Sequence, residues 1–165
     1  MKFAAFGALS VAIGLSGSAY ADGLQKAYSA VGSYLQSRGG GLAPFYASCP
    51  KVDNDEWQSV ASALVVPLSQ TDSAVLVNTS MCNGGNGSGQ YLAITQRGAT
   101  RLVLDAGLGD MSFLASNAYF YGDTLTLYGS RWLPNDPHCC PSKKANLEFN
   151  LKTGGRKLTI LNDSN

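Results

Sequence analysis

Between Asp22 and Gly41, apolar side chains recur at Leu24, Tyr28, Val31 and Leu35. Steps of four, three and four put them on one stripe of an α-helix, opened near Asp22 and stopped by Gly39, Gly40 and Gly41. The stripe needs an apolar partner, and the sheet implied downstream is the expected one. "DNDEWQSVASAL", from Asp53 to Leu64, reads either as a short second helix or as a turn into a strand.

Further on the period shortens to two. Strands are predicted over Ala63–Leu68, Ala74–Thr79, Gln90–Thr95, Thr100–Asp105, Ala118–Tyr121, Thr124–Tyr128, Asn146–Leu151 and Lys157–Leu161. Alternation is clearest in "NLEFNL", with Leu147, Phe149 and Leu151 on one side, and in "TLTL" with Leu125 and Leu127. "YGDT" and "TGGR" are hairpin turn signals. Successive strands with short turns and no intervening helices argue for antiparallel pairing and against βαβ units. The expected fold is mainly β in an α+β sense: a meander or sandwich with one N-terminal amphipathic helix, stapled by disulfides. No linker and no fixed-period repeat divides the chain.

The first residues change the picture of where the chain works. "MKFAAFGALSVAIGLSGSAYA" carries one cation, Lys2, then an apolar and small-residue run, then Ala19-Tyr20-Ala21. That is the layout of a secretory signal peptide over residues 1–21, with one exported domain over 22–165. Phe3 to Leu15 is shorter than the ~20 apolar residues of a membrane span. The expected location is therefore periplasmic or secreted, with no membrane span. Cleavage after Ala21 leaves eleven basic and eleven acidic residues. A formal charge of zero gives no electrostatic case for nucleic acid. Lys143, Lys144, Lys152, Arg156 and Lys157 are interspersed with acids and read as a solvated strand face.

Export gives the cysteines their meaning, because disulfides persist outside the cytoplasm. Cys49, Cys82, Cys139 and Cys140 allow three pairings. Neighbours in an extended chain point to opposite sides, which disfavours a Cys139–Cys140 ring. One of these two is expected to reach Cys49 and the other Cys82, in either combination. Loops of that length are worth about 4 kcal/mol each in the chain-entropy model. The rival readings of "DPHCCPS" are weaker. A Cys–His nucleophile needs an imidazole within reach of the thiolate, and adjacent side chains diverge. A metal site wants spaced ligands, which His138-Cys139-Cys140-Pro141 does not supply. No metal or cofactor is expected.

Three further stretches hold candidate chemistry. "CNGGNGSGQ" from Cys82 lacks the Gly-Lys-Ser/Thr ending of a phosphate loop and reads as a hairpin connection; it follows the sequon at Asn78 and contains the one at Asn86. "YGSRWLPNDPHCCPS" reads as a long turn-rich connection carrying Tyr128, Arg131, Trp132, Asn135 and His138, residue types that anchor interfaces. Trp132 has an equal reading as a residue packed beneath that loop. Asp105, Asp110 and Asp123 offer the paired carboxylates of a hydrolase, although Asp among glycines is usually a turn former.

The segment Tyr128 to Lys144, centred on Asp-Pro-His-Cys-Cys-Pro-Ser, resembles exported bacterial proteins of the LppP/LprE lipoprotein family, which carry an Asp-x-x-Cys-Cys-Pro-Ser run before a C-terminal strand. Cys82 to Ile94, a cysteine in a Gly-rich turn before a strand, is also similar. The likeness covers about a third of the chain after residue 21. It implies an extracytoplasmic β-rich domain without established catalytic residues. The lipidation cysteine is absent here, so membrane anchoring does not transfer. The expectation is a non-catalytic binding protein of the bacterial envelope, an inhibitor or immunity-type protein being one concrete version, whose partner is another protein or an envelope component. The alternatives are a secreted hydrolase using Asp105, Asp123, or His138 with Asp136, and a structural envelope component.

Overall fold

The computed structural model describes residues 17–43, 57–82, 88–106, 113–137 and 140–161. Cys49, Asp110, His138 and Cys139 lie outside them. Helix α1 (Gly17–Ser37) carries the expected stripe, with Ala27, Val31 and Leu35 buried. It begins upstream of the expected start. Asp22 lies inside the helix and pairs with Lys26 one turn on, at 2.6 Å, instead of capping it. The C-terminus closes as a Schellman motif. Gly40 N–H donates to Leu35 O and Gly39 N–H to Gln36 O, both at 3.0 Å.

Among the described residues the strands form two sheets. The first runs β1 (Gly41–Ala43), β2 (Trp57–Pro67), β3 (Ser73–Met81), β4 (Ser88–Gln96) and β5 (Ala99–Ala106). The second runs β6 (Phe113–Tyr121), β7 (Thr124–Arg131), β8 (Lys143–Asn150) and β9 (Arg156–Ile160). Neighbours pair antiparallel except β1 with β2, which are parallel in the register Gly41↔Trp57. Thus the meander holds inside each sheet and breaks where the chain changes sheet between β5 and β6. Trp57 onward is strand, so the second-helix reading of that stretch is set aside. Gln58 and Val60 alternate in burial with their neighbours, a period of two. The expected strand Thr124–Tyr128 is β7, which runs on through Arg131, a residue expected in the loop. Its last residues alternate too weakly for the sequence to show them as strand.

Three layers result: helix, first sheet, second sheet. One face of the first sheet offers Val60, Val75, Val77, Tyr91 and Ala93 to α1. The opposite face sets Ala74, Leu76, Leu92 and Ile94 against Phe113, Leu125, Leu127, Leu147 and Phe149 of the second sheet. Strands β3 and β4 are therefore covered on both sides, which is why "SAVLV" and "QYLAIT" are nearly continuous buried runs. Each fully buried Leu or Phe at this seam contributes about 1.5–3 kcal/mol.

Polar groups are buried at two points. Beneath α1, Gln58 Oε1 accepts hydrogen bonds from Thr79 Oγ1 and, at 2.9 Å, from Tyr91 Oη. Between the sheets, the Gln90 side chain meets the backbone of β6. Ala115 N–H donates to Gln90 Oε1 at 2.7 Å, and Gln90 Nε2 donates to Ala115 O at 2.8 Å. Strand β6 is the edge of its sheet, so this amide replaces the missing neighbour at that residue. Gln90 Nε2 also reaches Asn78 Oδ1 at 2.6 Å, and Asn78 Nδ2 reaches Ser62 Oγ at 2.9 Å. The β6–β7 register slips between Ala115 and Asn117, beside Gly129. A Cβ on Gly129 would lie 2.0 Å from Leu114 O, so only glycine fits.

Gln90→Leu should leave both Ala115 groups buried and unpaired and lower the unfolding free energy by about 2–4 kcal/mol. Chemical denaturation checks this, with Gln70→Leu on an exposed turn expected to stay within about 0.5 kcal/mol. A Gln90 variant as stable as the parent would contradict the pairing.

Candidate functional site

The two sheets share a pair of ends with different character. At one end four tight connections meet: Leu68–Asp72, Arg97-Gly98, Gly122-Asp123 and the turn beginning at Leu151. They surround a cleft of about 570 Å³ lined by Leu68, Asp72, Gln96, Arg97, Phe120 and Asp123, with Arg101, Leu151 and Lys152 completing the wall. At the other end, Cys82 follows β3 and Cys140 lies in the connection from β7 to β8. Neither of these cysteines is a free thiol. The described residues do not set the pairing among the four.

The connection from Trp132 to Ser142 is organised by Asp136. Its Oδ2 accepts from the N–H groups of Leu133 and Ser142, both at 2.8 Å, and Asp136 N–H donates to Leu133 O at 3.0 Å. The backbone bond closes a β-turn over Leu133–Asp136, with Pro134 in the second position that proline favours. The backbone hydrogen bond from Leu133, followed by the hydrogen bonds from Ser142, holds the Asp136 carboxyl below its ordinary value of 3.8. Asp136 is thus an ionised brace for the loop at neutral pH, with one oxygen already occupied by two backbone donors. Trp132 is half-buried and its indole Nε1–H donates to Pro137 O at 3.2 Å, so it braces the same loop. Asn135 is exposed at the tip. Arg131 sits at the loop's base, and its buried Nε has no partner among the described residues. His138 lies outside those residues.

Tyr128 has a different neighbourhood from the expected one. It faces outward from β7, opposite Asn117, on the same face as Tyr119 and Tyr121 of β6. These three side chains are 42%, 58% and 78% exposed. Sequence reading missed Tyr119 and Tyr121, although "AYFY" sets them in alternation with the inward Ala118 and Phe120.

The chain positions of Asp105 and Asp123 are far apart. Asp123 is in the β6–β7 turn at the cleft end. Asp105 is near the end of β5, in register with Tyr91, and lies seven residues along the strand from the cleft-end Gly98. At about 3.3 Å per residue they are roughly 20 Å apart along the strand direction. A bond cannot lie between them. Among the described residues no group of three His, Cys, Asp or Glu side chains could hold a metal, and no helix is long and apolar enough to cross a membrane. No family model matches the chain, and neither curated proteins nor solved structures give a significant match.

A folded-state carboxyl value below the ordinary one means that the Asp136 brace is intact above pH 3.8 and is lost as pH falls through its depressed value. NMR of the Leu133 and Ser142 amide protons should show a titration step with its midpoint below 3.8, absent in Asp136→Ala. A midpoint at or above 3.8 would sink this account of the loop.

Proposed function

We propose that this chain is an exported, non-catalytic binding protein of the bacterial envelope, and that its contact surface is the outward face of the β6–β7 hairpin together with the loop from Trp132 to Ser142. The observation that carries the reading is the exposed row of Tyr119, Tyr121 and Tyr128, with no charged side chain among the outward residues of that hairpin. Tyrosine is an interface residue because it supplies a large rigid area with few rotors and a polar tip. A loop tied by Asp136 holds Asn135 beside that scaffold at little entropic cost on binding.

The signal-like first 21 residues support export. The likeness of Tyr128–Lys144 to the exported LppP/LprE lipoproteins supports it too. So does the absence of a free thiol at Cys82 and Cys140, which suits an oxidising compartment. In this reading Cys139 and Cys140 are bridged separately to Cys49 and Cys82, and staple the loop end of one sheet to the loop end of the other. A partner of protein type, including an enzyme that this chain inhibits, fits the aromatic face best.

The test is capture from envelope extract with tagged protein. A specific partner should be retained by the parent and reduced about tenfold by Tyr121→Ser or Asn135→Ala, at unchanged melting temperature. Both residues are exposed, so their loss does not disturb the core. Equal recovery with all three proteins, or no specific partner, would refute the proposal.

A further inference from the structure

The cleft at the tight-turn end is not used by this reading, and its chemistry is specific. Strands β4 and β5 are joined by a two-residue hairpin, with Gln96 paired to Ala99 across Arg97 and Gly98. Both central residues have positive φ, 52° and 79°. That is the type I′ arrangement, which favours Asn, Asp or Gly in first place. Arg97 is the only residue other than glycine with positive φ among the described residues. An L side chain with a full Cβ is disfavoured there, and arginine's stem has no short polar atom to compensate locally. The turn is held in place because Arg97 N–H donates to Asp72 Oδ1 at 2.9 Å. Backbone geometry gives no reason for arginine at this position. Its side chain gives one, since it lines the cleft.

Arg101 and Lys152 line the same cleft. None of the three cations forms an ion pair among the described residues, although Asp72 and Asp123 share the wall. Among the described residues, Arg101 makes a hydrogen bond from Nη2 to Gln96 Oε1 at 3.2 Å. The floor is apolar: Leu68, Phe120 and Leu151 pack against the core between the sheets. Arg101 and Leu151 continue into an adjoining cavity of about 210 Å³ that also reaches Ile94 and Phe149.

We propose that this cleft binds a small organic carboxylate carrying an apolar group. Guanidinium forks match a carboxylate in bidentate geometry. Three cations against two carboxylates leave one net positive charge, which a monoanion neutralises and a dianion overfills. The floor accepts the apolar part, and the volume is that of a small-molecule site. The strain at Arg97 is then the trace of a binding function, not of folding.

The test is a calorimetric or NMR titration with octanoate. Octanol, which lacks the charge, and acetate, which lacks the chain, serve as controls. Octanoate should saturate, with both controls at least about tenfold weaker. N-acetyl-leucine in place of octanoate separates a peptide-derived acid from an alkyl acid; saturation by either supports the site. Arg101→Gln should weaken binding about tenfold. Arg97→Asn is the decisive variant. It should raise the melting temperature by about 2–4 °C, because Asn suits the turn, while binding falls about tenfold. Absence of saturation by both acids would overturn the proposal. So would octanol binding as well as octanoate, or Arg97→Asn binding undiminished.

Discussion

Strand β6 is an edge strand with an irregular start, and a side chain holds it there. The amide of Gln90, buried to 1% exposure, presents one acceptor and one donor to the N–H and C=O of Ala115, as a neighbouring strand would. In the low-dielectric seam between two sheets such groups cannot be left unpaired, so the clamp fixes where the second sheet begins. The seam's apolar residues supply most of the attraction but little register. Leu125, Leu127, Leu147 and Phe149 would bury equally well after a small slide, and the Gln90–Ala115 pair would not. The bulge after Ala115 and the glycine at 129 adapt the hairpin to that anchor.

From this anchor the molecule acquires two unlike ends. The clamp lies toward the cysteine-bearing connections, where the β7–β8 loop is braced by Asp136 and Trp132. The far end consists of tight turns, whose geometry is set by glycines at 98, 122 and 154 and, in one case, by an arginine that the turn disfavours. Loop end and turn end therefore offer different chemistry: a hydrogen-bonded loop at one, and three cations without an ion pair among the described residues, over an apolar floor, at the other, while the tyrosine row runs along the outward face of the β6–β7 hairpin from the turn end. The proposed contact face is the outward side of the second sheet, and the proposed small-molecule cleft opens between the turns at the sheets' end.

Much of the fold was legible in the chain. The helical stripe at Leu24, Tyr28, Val31 and Leu35 and the hairpin turns at "YGDT" and "TGGR" follow from local periodicity and turn chemistry, which act within a few residues. Three-residue β1 carries no period to detect. The change of sheet between β5 and β6 depends on packing between distant segments. The candidate site was legible in part. Composition marks Trp132 and Tyr128 as interface types, but only the pairing register shows that Tyr128 shares a face with Tyr119 and Tyr121. Asp105 and Asp123 look like a possible catalytic pair on paper and lie at opposite ends of the strands. The cleft draws Arg97, Arg101 and Lys152 from three separate stretches of chain, and no spacing rule connects them.

The most direct test of the clamp is hydrogen exchange at the Ala115 amide, read by NMR under native conditions. Its N–H points away from β7 to the Gln90 carbonyl, so on an ordinary edge strand it would exchange within seconds to minutes. The clamp predicts protection equal to that of Leu92 and Leu127, reached only through global unfolding. Exchange of Ala115 at the rate of the outward-pointing edge amide of Phe120 would contradict the account, because the edge would then open without disturbing the core.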